Sequence, residues 1–233
     1  AAPGMVALGL KWMFDRESPF WVRPRLDADL FSWGWKFWRA STSAHVERCT
    51  PVLRDLNLRS REIFLRHRAE LPAAFDLEDV GLLALCRTQQ TLDHEAVFAA
   101  KSNAVGVPTE VLSADEVRRR DPGVDYAIAG AVLFTKDAHL DPRKLVAVLT
   151  AEVTRLGGRI VFDAEVTGWK GEGDLLRAAL TKQGEFAGET FVLAAGAWSP
   201  AAAAALGLRL PMQAGKGYSM RLEHPVQRPK DCS

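Results

Sequence analysis

Residues 137–158, DAHLDPRKLVAVLTAEVTRLGG, carry both of their own ends. Asp141 fits an N-cap. Pro142 fits the first helical position, where a missing N–H costs no hydrogen bond, and Gly157 fits the C-terminal cap. Between them Leu145, Val148, Leu149, Val153 and Leu156 recur at helical spacing. Strand-like runs follow: RIVFDAEVTGW (159–169), with alternation around Asp163, then LLRAALT (175–181) and residues 185–187 about a Gly184 turn. Such short runs joined by tight turns predict a β-meander. FVLAAG (191–196) is a short apolar run that reads as a buried strand, breaking at Gly196 into AWSP and five alanines. A helix, a meander and a buried strand in this order predict an α/β (α+β) chain with β-meander insertions.

The first half is built from the same parts. Residues 29–40, DLFSWGWKFWRA, predict a helix whose aromatic arc is wider than an ordinary core stripe, with Ser32, Lys36 and Arg39 opposite. A second helix fits 54–71, where Leu56, Ile63, Phe64 and Leu71 share a face and arginines mostly take the other. GLLALCR, from residue 81, predicts a strand. Thr91 to Val105 predicts a helix stopped by Gly106, and TEVL (109–112) a short strand. Ser113 to Glu116 is a capping box opening a short helix that Asp121-Pro122 ends, and AIAGAVLF (127–134) is a further strand. Five of the seven tryptophans fall before residue 40. That aromatic arc suits burial between domains, a partner or dimer surface, or peripheral contact with a membrane.

Composition narrows the function. Lys+Arg total 30 against Asp+Glu 29, so no net field favours nucleic acid. Cys49, Cys86 and Cys232 are scattered, and no CxxC or Cys/His cluster stands near them, so neither a zinc site nor a disulfide framework is indicated. A reducing, cytoplasmic setting is the simpler expectation. No run of about 18 apolar residues predicts a spanning helix.

Chemistry is sparse at the level of pattern. The sequence has no GxGxxG between strand and helix to cradle a pyrophosphate. Gly215-Lys216-Gly217 supplies two glycines only, and a tight turn leading a strand accounts for them. There is no GxSxG, and Ser199 before Pro200 reads as an N-cap. No histidine pair has metal-ligand spacing, so no metal is expected. His139, just before a helix start, suits a surface or capping role. Gly196, flanked by alanines, permits close backbone approach, either to a bound cofactor or to a packed strand–helix crossing.

Four stretches, in order, resemble the flavoprotein family of D-amino acid oxidases and dehydrogenases, bacterial FAD-dependent D-amino acid dehydrogenases above all. They are the Trp-rich segment 2–40, DAHLDPRKLVAVL (137–149), FVLAAGAWSP (191–200) and LGLRLPMQAGKGYSM (206–220). The resemblance implies a two-domain flavoprotein of which these residues form a central part, without the family's N-terminal GxGxxG unit and its C-terminal portion. It implies segments 1–75 (Trp-rich, helical), 76–135 (part of a substrate domain with an antiparallel sheet), 136–207 (part of an FAD domain) and 208–233 (a strand returning toward the substrate domain). Val166, Ala195, Gly196, Ala197 and Trp198 are implied on the cofactor side. Lys216, Gly217, Tyr218 and His139 are implied on the substrate and flavin side, and the catalytic residues stay unassigned.

The resemblance further implies FAD as cofactor of the intact protein, with these residues alone holding it weakly and remaining inactive. The substrate would be a D-amino acid, oxidised by hydride transfer from Cα to an imine that hydrolyses to a 2-oxo acid. Glycine, sarcosine or hydroxyproline oxidation is the alternative within the family, and a non-catalytic α/β binding module the alternative outside it. A quinone or another acceptor would take the electrons. Peripheral contact with the inner membrane through residues 29–40 and a homo-oligomer are compatible with this reading.

Overall fold

The computed structural model describes residues 3–13, 26–71, 73–173, 175–218 and 226. In chain order the elements are α1 (Met5–Met13), α2 (Ala28–Ala40), α3 (Ser43–Glu70), β1 (Leu82–Cys86), α4 (Gln89–Ala104), β2 (Thr109–Ser113), α5 (Ala114–Arg120), β3 (Gly130–Phe134), α6 (Pro142–Arg155), β4 (Val166–Glu172), β5 (Leu175–Thr181), β6 (Gly184–Ala187), a 3₁₀ turn (Gly196–Trp198) and α7 (Ser199–Ala204). They divide into two compact units. Unit 1 combines residues 1–46 with 161–219, and unit 2 holds 47–160 with 220–233.

Unit 2 is organised by a three-stranded antiparallel sheet in the order β1-β3-β2. β3 is central because its residues, GAVLF, tolerate burial on both faces; Ala131, Val132 and Leu133 are all buried. One cluster gathers Leu83, Val117, Tyr126, Ala131 and Leu133, which puts α5 on the sheet. A second joins Phe75, Leu77 and Val148 to Phe64, Leu65 and Leu145, so that α3 and α6 share a core of their own. Burial pushes the Cys86 thiol up, with the charge of Glu95 adding to it, which keeps this cysteine protonated and unreactive.

Local signals act as the sequence predicts. Asp141 accepts the Arg143 and Lys144 N–H groups at the start of α6, and Pro142 opens that helix. Ser113 and Glu116 form the capping box of α5. The Lys144 and Arg143 N–H bonds hold the Asp141 carboxyl below its ordinary value, and the Ser113 hydroxyl and N–H do the same for Glu116. A carboxylate with a lowered folded pKa contributes its full stability above the unfolded value, near 4. It loses that contribution as pH falls through the folded one. The thermal midpoint is therefore expected to decline below about pH 4, and Asp141→Asn with Glu116→Gln to flatten that decline, as melts across the acid range would register.

Three expectations are corrected. α3 begins at Ser43, eleven residues before the predicted start, and carries Pro51 inside it. Its entry is set by Thr42, whose hydroxyl accepts the His45 N–H at 3.3 Å. The strand expected over 159–169 starts only at Val166, because Asp163 takes φ +56 and turns the chain; aspartate is among the few side chains that tolerate the left-handed region. FVLAAG forms no strand. Residues 191–195 pair with no ladder, and Val192 is 86% exposed.

Unit 1 contains the expected meander, β4-β5-β6, all antiparallel. Its described residues bury little: Ala178 and Ala203 are its only buried hydrophobic side chains among them. α2 buries none of its residues. Phe31, Trp35 and Trp38, spaced for one helical face, are all more than half exposed in this chain. Residues 14–25, Ser219 and Met220, and almost all of the expected final strand lie outside the described residues; residues 208–218 form no strand. No described helix is long and apolar enough to cross a membrane.

Candidate functional site

The stretch around Gly196 is shaped by two physical facts. Gly196 takes φ +53, a conformation L side chains rarely adopt, and a Cβ built there would meet nothing within 4 Å. The glycine is thus needed for its backbone angle, and the space beside it is open. Ala195 precedes the 3₁₀ turn, whose Trp198 N–H reaches the Ala195 carbonyl at 3.0 Å. Trp198 is 78% exposed, and Ala197 is exposed beside it. Ser199 is not an N-cap: it is the first residue of α7, buried, with helical φ and ψ, and Trp198 occupies the cap position without a side-chain bond.

The turn is held in place by Trp169, a residue the sequence reading did not single out. Its indole N–H donates to the Ala202 carbonyl of α7 at 3.0 Å. Its ring meets Phe191 edge-on at 6.1 Å, so β4 grips both sides of the 191–202 segment. The only prior signal was a tryptophan in an alternating run, which any half-buried strand can carry. Val166 opens β4 opposite Thr181 and is partly exposed.

Downstream, Lys216 Nζ lies 5.0 Å from the centre of the exposed Tyr218 ring, a cation–π contact within the GKGY run. Gly217 has open space around a would-be Cβ. Also in unit 1, a cavity of about 430 Å³ runs between the start of α2 and the segment after α7. Its lining includes Trp33, Lys36 and Pro200, and the ion pair Arg209–Asp29 (3.1 Å) spans its two sides. His139 lies in unit 2. Its backbone pairs with Glu78 in a two-way bridge (2.8 and 3.1 Å), and its Nε2 stands 3.5 Å from the Glu78 carboxylate. That fixes the imidazole beside an acid. No cluster among the described residues fits a metal ion.

An exposed tryptophan thus stands beside an open-sided backbone turn that is anchored on the meander. Solved structures share the fold over part of their length. Glycine oxidase from Bacillus cereus superposes with a TM-score of 0.60 at 23% identity, covering 65% of this chain and 43% of that one. L-proline dehydrogenase from P. horikoshii superposes with 0.56 at 22% identity, covering 64% and 40%. The model of the DAO family, FAD dependent oxidoreductase, matches residues 25–232, and the chain belongs to that family.

Among curated relatives, the D-amino acid dehydrogenase of Cereibacter sphaeroides (strain ATCC 17029 / ATH 2.4.9) is 35% identical over 223 residues, covering 94% of this chain and 51% of its own length. That of Rhizobium rhizogenes is 32% identical over 225 residues, covering 95% and 54%. The chain spans about half the length of the curated relatives it matches. Membership of the family implies FAD for the intact protein. The Gly196 turn leaves open space where a side chain would stand, and Trp198 offers an exposed ring, but neither carries charge for the phosphates.

Proposed function

We propose that this chain is part of an FAD-dependent enzyme that oxidises D-amino acids. The observation that carries the reading is identity of 31–35% over nearly the whole chain to several proteins named D-amino acid dehydrogenase. FAD, when bound, supplies the two-electron oxidation. The amino acid gives up a hydride from Cα and a proton from nitrogen, and water hydrolyses the resulting imine to a 2-oxo acid and ammonia.

The role of this chain's residues is to hold and orient. Val166, Ala195, Gly196, Ala197 and Trp198 form a cofactor-side wall, supported by the open turn and its anchoring through Trp169. Lys216, Gly217, Tyr218 and His139 serve the flavin and substrate side. These 233 residues alone hold FAD weakly, because the wall offers apolar contact and backbone without a phosphate cradle. A quinone or a comparable acceptor takes the electrons. The exposed Phe31, Trp35 and Trp38 face of α2 supports peripheral membrane contact, which Trp35→Ser with Trp38→Ser is expected to weaken in a vesicle flotation assay.

Turnover of the intact protein on paired D- and L-amino acids, with glycine, sarcosine and hydroxyproline alongside and an artificial acceptor as readout, tests the reading. D-amino acids are expected to reduce the acceptor and their enantiomers not. Preference for glycine, sarcosine or hydroxyproline would transfer the assignment to the alternative within the family.

A further inference from the structure

One short segment of unit 2, residues 76–81, is held by charge more than by burial. The chain enters and leaves it at positive φ, +53 at Asp76 and +86 at Gly81. Aspartate and glycine are among the few residues that tolerate this region, and a Cβ at Gly81 would stand 2.9 Å from the Phe134 carbonyl oxygen. From Asp76 to Val80 every residue meets a basic side chain. Lys144 pairs with Asp76, Arg68 donates to the Leu77 carbonyl at 3.3 Å, and His139 Nε2 stands 3.5 Å from the Glu78 carboxylate. Arg61 donates to both oxygens of Asp79, and Arg120 donates to the Val80 carbonyl at 3.0 Å. These side chains come from α3, α5, α6 and the turn before α6, so the segment is clasped from several elements at once.

Burial adds little to the clasp. Of residues 76–80 only Leu77 is buried, and Phe75, the neighbouring apolar anchor, lies before the first bend. The backbone is fastened by the Glu78 N–H to the His139 carbonyl (2.8 Å), its return bond (3.1 Å) and the Gly81 N–H to the Asp137 carbonyl (3.2 Å). Three carboxylates, Asp76, Glu78 and Asp79, crowd into four residues and are restrained by their cations. Partly exposed pairs of this kind weaken as salt screens them, and a segment with one buried side chain belongs to the low-stability end of a fold. We infer that residues 76–81 are a strap that opens and closes as a unit, set by ionic strength, while the β1-β3-β2 sheet stays folded. Leu77 and Arg61 line a cavity of about 330 Å³ between α3 and residues 134–140, so release of the strap opens that cavity on this side. All of these residues belong to unit 2, and the strap is measured without flavin or acceptor.

Residue-level amide hydrogen exchange of the 233-residue chain tests the strap. The Glu78 and Gly81 N–H groups report on it, and those of Ala131, Val132 and Leu133 report on the sheet. Raising sodium chloride from about 0.05 M to about 1 M shortens the screening length to about 3 Å. Protection at Glu78 and Gly81 is expected to fall about tenfold, with protection in β3 unchanged. Lys144→Gln, at a half-exposed position on α6, is expected to lower protection of the same two amides at low salt and to shrink their response to added salt. It should leave the sheet amides as they are in the parent. Strap amides as protected as those of β3 at both salt concentrations would overturn the proposal, since the segment would then open only with the sheet. Protection at Glu78 and Gly81 that neither salt nor Lys144→Gln alters would overturn it as well.

Discussion

Gly130→Ala is expected to destabilise unit 2 by about 3 kcal/mol, the upper end of what overpacking costs. Gly130 begins β3 and faces Cys86 on one side and Ser113 on the other. A Cβ there would sit 2.4 Å from the Leu112 carbonyl oxygen and 2.8 Å from Leu92 Cδ2. The Leu92 methyl can rotate away, but the Leu112 oxygen belongs to the backbone of β2. Relief therefore requires the β2–β3 ladder to part, and that ladder positions Ala131, Val132 and Leu133 in the core. Gly106→Ala is the control. Gly106 has φ +80 and nothing within 4 Å of a Cβ, so it should cost about 1 kcal/mol through backbone strain alone. Urea unfolding of the two variants beside the parent separates the effects, and equal midpoints for both would refute the packing argument.

Trp169→Ala is expected to have the largest effect on unit 1, about 2–3 kcal/mol, which is slightly below the range for fully buried aromatics because this ring is half-buried. The truncation removes the edge contact with Phe191 and the hydrogen bond to Ala202 together. Unit 1 buries only alanines among its described hydrophobic residues, so it has little else to hold α7 against β4. Trp169→Phe keeps most of the ring and should cost about 1 kcal/mol for the lost hydrogen bond. If the turn at Gly196 is a cofactor wall, the intact protein carrying Trp169→Ala should also retain less flavin than the Phe variant. Flavin content that is equal in both would separate the turn from the cofactor.

The contrast between these units explains what could be read from the chain. α2, α4, α5, α6 and the meander strands β5 and β6 are announced by local chemistry: a cap, a period, a glycine turn or stop. Asp141, Ser113 and Gly157 act within a few residues of themselves, so their effect is visible without tertiary structure. α3 runs through Pro51, because a long helix packed on Phe75 and Leu77 through Phe64 and Leu65 absorbs one missing N–H. FVLAAG was apolar enough for a strand, but apolarity does not supply a pairing partner, and a ladder needs one. The glycine of the candidate turn was legible, as a residue with few neighbours in shape. The anchor at Trp169 was not, because its two partners, Phe191 and Ala202, lie 22 and 33 residues away in sequence.

The most direct test of the central claim is a single reduction, without oxygen, of the intact protein by a D-amino acid. The account predicts that the protein carries FAD and that the flavin's visible absorbance is lost in one step on adding the D-amino acid, while the L-enantiomer leaves the spectrum unchanged. A protein that holds no flavin, or whose flavin stays oxidised in the presence of every D-amino acid tried, would contradict it.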